Sequence, residues 1–546
     1  MSTKPLRRPA SKELSGREFD LIVIGGGITG AGIALDAASR GLSTILFEKG
    51  DFASGTSSKS TKLVHGGLRY LQNLQFAVTL ESVRERELLE KLAPHMVWRL
   101  PFVIPQYRGK RFKNMKVRAG LSLYDLMAGS GKNGSHKRLT PAEVLSACPG
   151  IRVDGLLGGL RYYDCRTDDA RYTLEVIKTA CEHGALAMNH AQVVNLSRRK
   201  GTVYGVEVHD RAAGAASANF TVRGKVVVNA TGVWSQQTAQ LSGGKSLLEV
   251  APAKGVHIAL KQSRLPITDA ILVDSVHDDR FCFAVPWYDS VIVGTTDTPY
   301  DGDLDNVQAE PEEVLYILDA LNAQFPFARL TLGDVTATFA GLRPLVREKG
   351  KGSSAEVSRK HSLITAQDGV ISIAGGKLTT YRPMASETVD AVFQRLTTLD
   401  AARKIVPSTT DKIMVGCEAG VDGLEQLSEF AQGAKLPNET LALLYSMYGK
   451  RATEVVALMK ERPELGKRIS VGHSYIVAQI VYAVQNEAAC TIDDVLSRRI
   501  RLTITDNQGA LQSADLVSRV MAQELKWDER RRNGQKDWFT TRYKRG

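Results

Sequence analysis

The 546-residue chain contains no run of about 18 apolar residues, the length that a membrane-spanning helix needs. Any contact with a bilayer is therefore expected to be peripheral. The N-terminal stretch MSTKPLRRPASKELSGRE is basic and polar and lacks the apolar core of a secretory signal. Cysteine is scarce and scattered at 148, 165, 181, 282, 417 and 490, with neither C-x-x-C nor zinc-finger spacing. Reduced thiols in a cytosolic compartment are the simplest account, and no metal site is expected. There is no helix-turn-helix, zinc or RNP motif and no internal repeat. Lys plus Arg is 71 against 59 for Asp plus Glu, a formal charge of +12. That balance permits an anionic partner, but the basic residues are dispersed, which disfavours a nucleic acid. The length exceeds one compact core and implies two or three domains.

What is present is organised around FDLIVIGGGITGAGIALDAASRGLSTILFE, residues 19 to 48. Leu21 to Ile24 is a short apolar run that suits a buried parallel strand. Gly25, Gly27 and Gly30 then form G-x-G-x-x-G, Ala31 to Ser39 continues as a helix, and Gly41 suits its stop. Thr44 to Phe47 is a second apolar strand ending at Glu48. This punctuation predicts a βαβ unit. The first glycine permits the tight turn, the second lets a pyrophosphate approach the backbone, and the third lets helix pack on strand. The helix N-terminus offers N–H groups to the phosphates, and Glu48 can accept from a ribose diol. The unit by itself does not separate FAD from NAD.

Two further glycine turns follow strands. Val226 to Val228 runs into Asn229-Ala230-Thr231-Gly232, and Ile371 to Ala374 runs into Gly375-Gly376-Lys377-Leu378-Thr379-Thr380 before a helix from about Tyr381 to Leu396. The N-terminus of that helix could face the pole of a flavin that gains negative charge on reduction. Between the fingerprint and these turns, DFASGTSSKSTKLVHGGLRYL (51 to 71) carries His65, Arg69 and Tyr70 beside Gly66 and Gly67, unlike a plain linker. Helices are expected over Phe76 to Leu92, Tyr172 to Gly184 and Pro311 to Asn322. Strands of a separate sheet are expected at Lys254 to Leu260, Phe281 to Pro286 and Val291 to Thr296. Arg108 to Arg118 reads first as a solvated loop, with a membrane-facing patch as the alternative, and Gly129 to Gly134 as a turn. Beyond Leu399 the apolar spacing turns helical, and Thr491-Ile492-Asp493-Asp494 resembles a capping box with Asp in place of Glu.

Taken together, GGGITGAGIALDAASRGL, DFASGTSSKSTKLVHGGLRYL, AGLRPL, GGKLTTYR and TIDDVLSRRIRL resemble the respiratory FAD-dependent glycerol-3-phosphate dehydrogenases, within the D-amino-acid-oxidase-like flavoproteins. The resemblance covers about Phe19 to Leu502. It implies an α/β fold: a dinucleotide-binding FAD domain (about 19–105, 160–250 and 335–398), an interleaved substrate domain with an antiparallel sheet (about 106–159 and 251–334), and a helical C-terminal domain (399–525). Residues 1–18 would be a flexible lead-in and 526–546 a basic tail. The implied flavin contacts are Gly25, Gly27, Gly30, Glu48, Ser57, Thr61, Lys62, Leu63, Gly232, Lys377, Leu378 and Thr379. The implied substrate contacts are Arg69, Tyr70, Arg343, Arg359 and Lys377, with His257 and His65 as candidate bases. Arginine forks suit the phosphate dianion of glycerol 3-phosphate. Its oxidation sends hydride from C2 to flavin N5 and the C2 hydroxyl proton to a base. The family's acceptor would be a membrane quinone, reached from an anionic membrane surface on the cytoplasmic face. An oxidase that passes electrons to oxygen shares every motif. An NAD-dependent enzyme is disfavoured, because the one dinucleotide fingerprint is taken by FAD. The covalent status of the flavin and the oligomeric state, a homodimer included, stay open.

Overall fold

Two β-sheets meet along one edge of the glycine-rich region, and the computed structural model describes residues 5–67, 76–109, 111–127, 135–212, 219–241, 248–348, 361–416, 423–434 and 436–544. The first sheet is built on Glu18–Ile24, which is buried from Phe19 onward. It pairs in parallel with Thr44–Phe47 on one side and with Asn219–Asn229 on the other. Ile371–Ala374 and Leu186–Met188 extend the parallel core outward, and an antiparallel hairpin of Ala191–Arg199 and Thr202–Asp210 closes on Asn219–Asn229. The apolar runs Leu21–Ile24 and Val226–Val228 need cover on both faces, which is why they sit centrally. The helices Ile28–Ser39, Asp169–Glu182 and Tyr381–Leu399 supply that cover on one face.

The second sheet is larger. Leu248–Lys261 pairs along most of its length with Val335–Glu348 and also with Ser290–Gly294. Phe281–Trp287, Ala270–Asp274, Val97–Tyr107 and Leu156–Thr167 continue it, and Leu63–Val64 forms its far edge. Leu63–Val64, Val97–Tyr107, Leu156–Thr167 and Val335–Glu348 fall wholly or largely in stretches expected to belong to the FAD domain, yet all are strands of the substrate-side sheet. A strand's own residues carry no local signal of which sheet it joins.

Three other expectations change. The lead-in is docked from residue 5 onward: Leu6 is buried and pairs with Glu487, and Arg8 is ion-paired to Asp210 at 2.5 Å. The basic run after Arg108 is not a loop but the start of a helix, Arg111–Met127, anchored by buried Leu121 and Tyr124. The tail forms the helix Glu529–Tyr543; Phe539 is fully buried and the Tyr543 hydroxyl donates to Asp493 at 2.6 Å. The turn expected at 129–134 lies outside the described residues. The C-terminal helices have their own core, around Leu444, Val456, Ile480 and Val517. Thr491 and Asp494 do form a reciprocal cap: Thr491 N–H donates to Asp494 and Asp494 N–H donates back to Thr491 Oγ1 at 3.1 Å. Among the described residues no helix is long and apolar enough to cross a membrane.

Candidate active site

The turn after Glu18–Ile24 is shaped by glycine where no other residue fits. Gly25 has φ +112°, and a Cβ there would lie 2.6 Å from the Ala230 carbonyl oxygen. A Cβ at Gly30 would lie 1.9 Å from the Gly25 carbonyl oxygen, so the first helical turn packs directly on the strand end. Gly27 precedes the helix Ile28–Ser39, whose Ile28 N–H donates to Ser57 Oγ at 2.9 Å. Glu48 accepts from Gly26 N–H at 2.7 Å and Gly50 N–H at 2.8 Å, which fixes its carboxylate at the groove wall. Burial pushes this carboxyl's pKa up, and the two N–H bonds work against that.

A groove of about 380 Å³ runs along this turn, lined by Gly25, Gly27, Glu48, Ser57, Gly232 and the Gly375–Leu378 segment. A second cavity of about 420 Å³ lies against the second sheet and is bordered by residues 375–379 that follow Ile371–Ala374. The two share Thr56, Ser60, Pro344 and residues 375–378, so they form one continuous path. An elongated dinucleotide with a flat ring system fits this path. Glu48 and Lys49, with Trp234 under the Lys49 ammonium at 4.3 Å, stand at one end. The N–H groups of the helix start stand in the middle, and Lys377, Leu378 and Thr379 border the second cavity.

His257, His65, Thr61, Leu63, Arg343, Lys377 and Thr379 all line the second cavity. His257 is 2% exposed in Leu248–Lys261, stacked on Phe339 at 4.8 Å, with Nε2 2.9 Å from Thr61 Oγ1. Burial first, then the charges of Lys62 and Arg343, hold its pKa well below the ordinary histidine value, so the ring is neutral. A neighbouring glycine makes room for it: a Cβ at Gly294 would lie 2.4 Å from the ring. Arg343 donates to the Asp297 carboxylate at 2.9 Å and to Thr295 Oγ1 at 3.1 Å. The Lys377 ammonium lies 3.4 Å from Ser82 Oγ, and His65 N–H donates to Thr379 Oγ1 at 3.3 Å.

Not every expected residue faces the path. Gly30 shapes the turn from behind it. Lys62 turns its side chain away: the ammonium is fully buried, paired with Asp169 at 2.9 Å and donating to the Ser58 carbonyl at 2.7 Å. Neither the groove nor the second cavity is lined by Lys62. Arg69, Tyr70 and Arg359 lie outside the described residues. Arg280 and Asp297 are among the cavity residues that escape the sequence reading. Arg280 lines the cavity and donates to the Asp297 carbonyl at 2.8 Å, while Asp297 is the counter-ion of Arg343. The Thr295-Thr296-Asp297 strand end is visible in the sequence, but nothing in HDDR distinguishes Arg280 from a surface arginine. Away from the cavities, His190, Cys490 and Asp494 bring ligand-type atoms within 4.8 Å of one another. Arg498 already pairs with Asp494 at 2.9 Å, and a second cation there would be repelled.

A family model described as FAD dependent oxidoreductase matches residues 20–382, and a second, described as the C-terminal domain of alpha-glycerophosphate oxidase, matches 408–532. The chain is 38% identical over 526 residues to a glycerol-3-phosphate dehydrogenase of Mycobacterium leprae, covering 96% of this chain and 88% of the relative. This chain belongs to the FAD-dependent glycerol-3-phosphate dehydrogenase family. An aerobic glycerol-3-phosphate dehydrogenase of Staphylococcus aureus is 37% identical over 530 residues, covering 95% and 93% of the two chains. A crystal structure of the glycerol-3-phosphate dehydrogenase from Bacillus halodurans complexed with FAD superposes with a TM-score of 0.80 at 34% identity, covering 97% of this chain and 96% of that one. FAD is therefore the cofactor, and the fold expected from the resemblance is the one present.

Proposed function

We propose that this enzyme oxidises sn-glycerol 3-phosphate to dihydroxyacetone phosphate and passes the electrons to a membrane quinone. The observation that carries the substrate reading is the convergence of Arg343, Lys377 and a neutral buried His257 on one cavity continuous with the dinucleotide groove. When bound, FAD supplies the acceptor for the hydride that leaves C2. Arg343 and Lys377 hold the phosphate dianion, and Arg69, Tyr70 and Arg359 belong to the same proposal through the family motifs. Asp297 and Thr295 keep the Arg343 fork in place before substrate arrives. His257 takes the C2 hydroxyl proton, since only an uncharged imidazole can accept it.

Peripheral attachment is supported by the helix Arg111–Met127. Met115 is 61% exposed and Leu126 74% exposed, beside exposed Lys116 and Arg118, a mixture that suits an anionic interface. This helix also borders the second cavity through Asn114 and Val117.

Flavin absorbance that bleaches under anaerobic glycerol 3-phosphate is the expected result, and an unbleached spectrum would overturn the substrate. Arg343→Ala should raise the KM for glycerol 3-phosphate steeply and leave the flavin spectrum intact. An equal change in activity toward glycerol would remove the phosphate role. Peroxide yield against quinone reduction separates the dehydrogenase from an oxidase, the reading kept open by the C-terminal match.

A further inference from the structure

One side chain of the C-terminal helices reaches the segment behind the active site. Arg501 is fully buried, with φ +63°, where the chain enters the short helix Leu502–Thr505. Its guanidinium donates to the Ser58 carbonyl at 2.9 Å and to Asp169 at 2.8 Å, and pairs with Asp168 at 3.3 Å. The same Ser58 carbonyl accepts from the Lys62 ammonium, and the same Asp169 carboxylate accepts from Lys62 and from the N–H and hydroxyl of Ser60. Residues 58 to 62 are thus tied at both ends and in the middle to one ion cluster, of which Arg501 is the part contributed by the C-terminal helices. The segment needs such a tie. Lys62 has φ +63°, a left-handed conformation that a lysine does not hold for its own sake. Thr61, inside the tied segment, carries the hydroxyl that meets His257 Nε2 at 2.9 Å. Among the described residues His257 Nδ1 has no hydrogen-bond partner and is buried, so Thr61 is the polar contact that orients the ring.

We infer that Arg501 is a positioning residue for proton transfer: it clasps residues 58–62 so that Thr61 holds His257 in its reactive orientation, making the C-terminal helices part of the catalytic apparatus. The inference rests on His257 being the proton acceptor. It gives this domain a task beyond covering the fold. The Arg501 guanidinium reaches four partners at once: Nη2 serves Ser58 and Asp169, Nε pairs with Asp168, and Nη1 donates to the Ser497 carbonyl at 3.0 Å, a spread that a single ammonium does not cover.

The test uses the full-length, FAD-loaded enzyme and compares Arg501→Lys, Thr61→Val, the double variant and His257→Asn, with rates expressed per bound flavin. Arg501→Lys keeps the charge and should lower kcat by roughly ten- to a hundredfold, as a misplaced catalytic group does, with KM for glycerol 3-phosphate nearly unchanged. Thr61→Val should lower kcat similarly. The double variant should be no worse than Thr61→Val alone, because both act through one contact. Additive losses in the double variant, or an Arg501→Lys enzyme with wild-type kcat, would overturn the clasp while leaving His257 as base. A His257→Asn enzyme with wild-type kcat would instead overturn the base assignment itself. Should Arg501→Lys fail to load flavin, Ser60→Ala removes one tie to Asp169 and leaves the guanidinium in place; a smaller kcat loss, again absent on the Thr61→Val background, supports the clasp, and an additive one overturns it.

Discussion

The dinucleotide turn and the junction with the C-terminal helices both hold charge out of water, one with main chain and the other with side chains. At the turn, residues 25 to 30 present backbone N–H groups and a helix end, and the carboxylate of Glu48 is fixed by two backbone donors. At the junction, Asp51 accepts from Arg498 and Arg499, Glu487 pairs with Arg171 at 2.8 Å, Asp494 with His190 at 2.9 Å, and Arg451 with Glu175, all in the interior except the half-buried His190. The turn leaves donors facing an open groove, whereas the junction turns its charges on one another. Buried charge alone therefore does not mark a binding site; charge aimed at an opening does. Within the junction, Arg501 is the arginine whose carbonyl partner lies in the segment that carries Thr61 to His257.

The sharpest way to break the comparison is Gly27→Val. A side chain at the groove face should block the pyrophosphate and give colourless protein, read as the flavin-to-protein absorbance ratio. Full flavin content in that variant would mean that the turn does not bind by main chain at all.

The junction should respond differently, by losing stability rather than cofactor. Asp51→Ala leaves two interior guanidiniums short of a partner, and breaking such a buried pair costs about 3–5 kcal/mol. The denaturant midpoint should fall accordingly, while folded protein keeps its flavin. Arg498 retains Asp493 and Asp494 as partners, so the loss should fall mainly on Arg499. A midpoint within error of wild type would mean that neither arginine depends on Asp51.

The smallest effect is expected at a second contact between the C-terminal helices and the substrate-side sheet. His473 reaches Asp289 at 2.7 Å and Asp506 at 3.0 Å. Burial acts to lower its pKa, but the two carboxylates outweigh that and raise it to about 9. A raised folded-state value means that the contact's stabilisation is complete below about pH 6.5, the unfolded value, and is lost as pH rises toward 9. His473→Asn should therefore be less stable than wild type at about pH 6 and approach it by about pH 9.5, in thermal melts at matched ionic strength. A difference constant across that range would remove the charged histidine from the account.

The βαβ unit, its glycine positions, Glu48 and the helix at Phe76–Leu92 are legible before any folding, because each is written in contiguous residues whose spacing repeats the geometry they form. So is the Thr491–Asp494 cap, a contact between residues three apart. Long-range packing settles the rest: which sheet each strand joins, that Arg280 stands behind Asp297, that Lys62 points into an ion cluster, and that Arg501 reaches Ser58 across 443 positions of chain. Such pairings depend on which charges burial brings together, and a charged residue looks the same in sequence whether water or a distant carboxylate will be its partner.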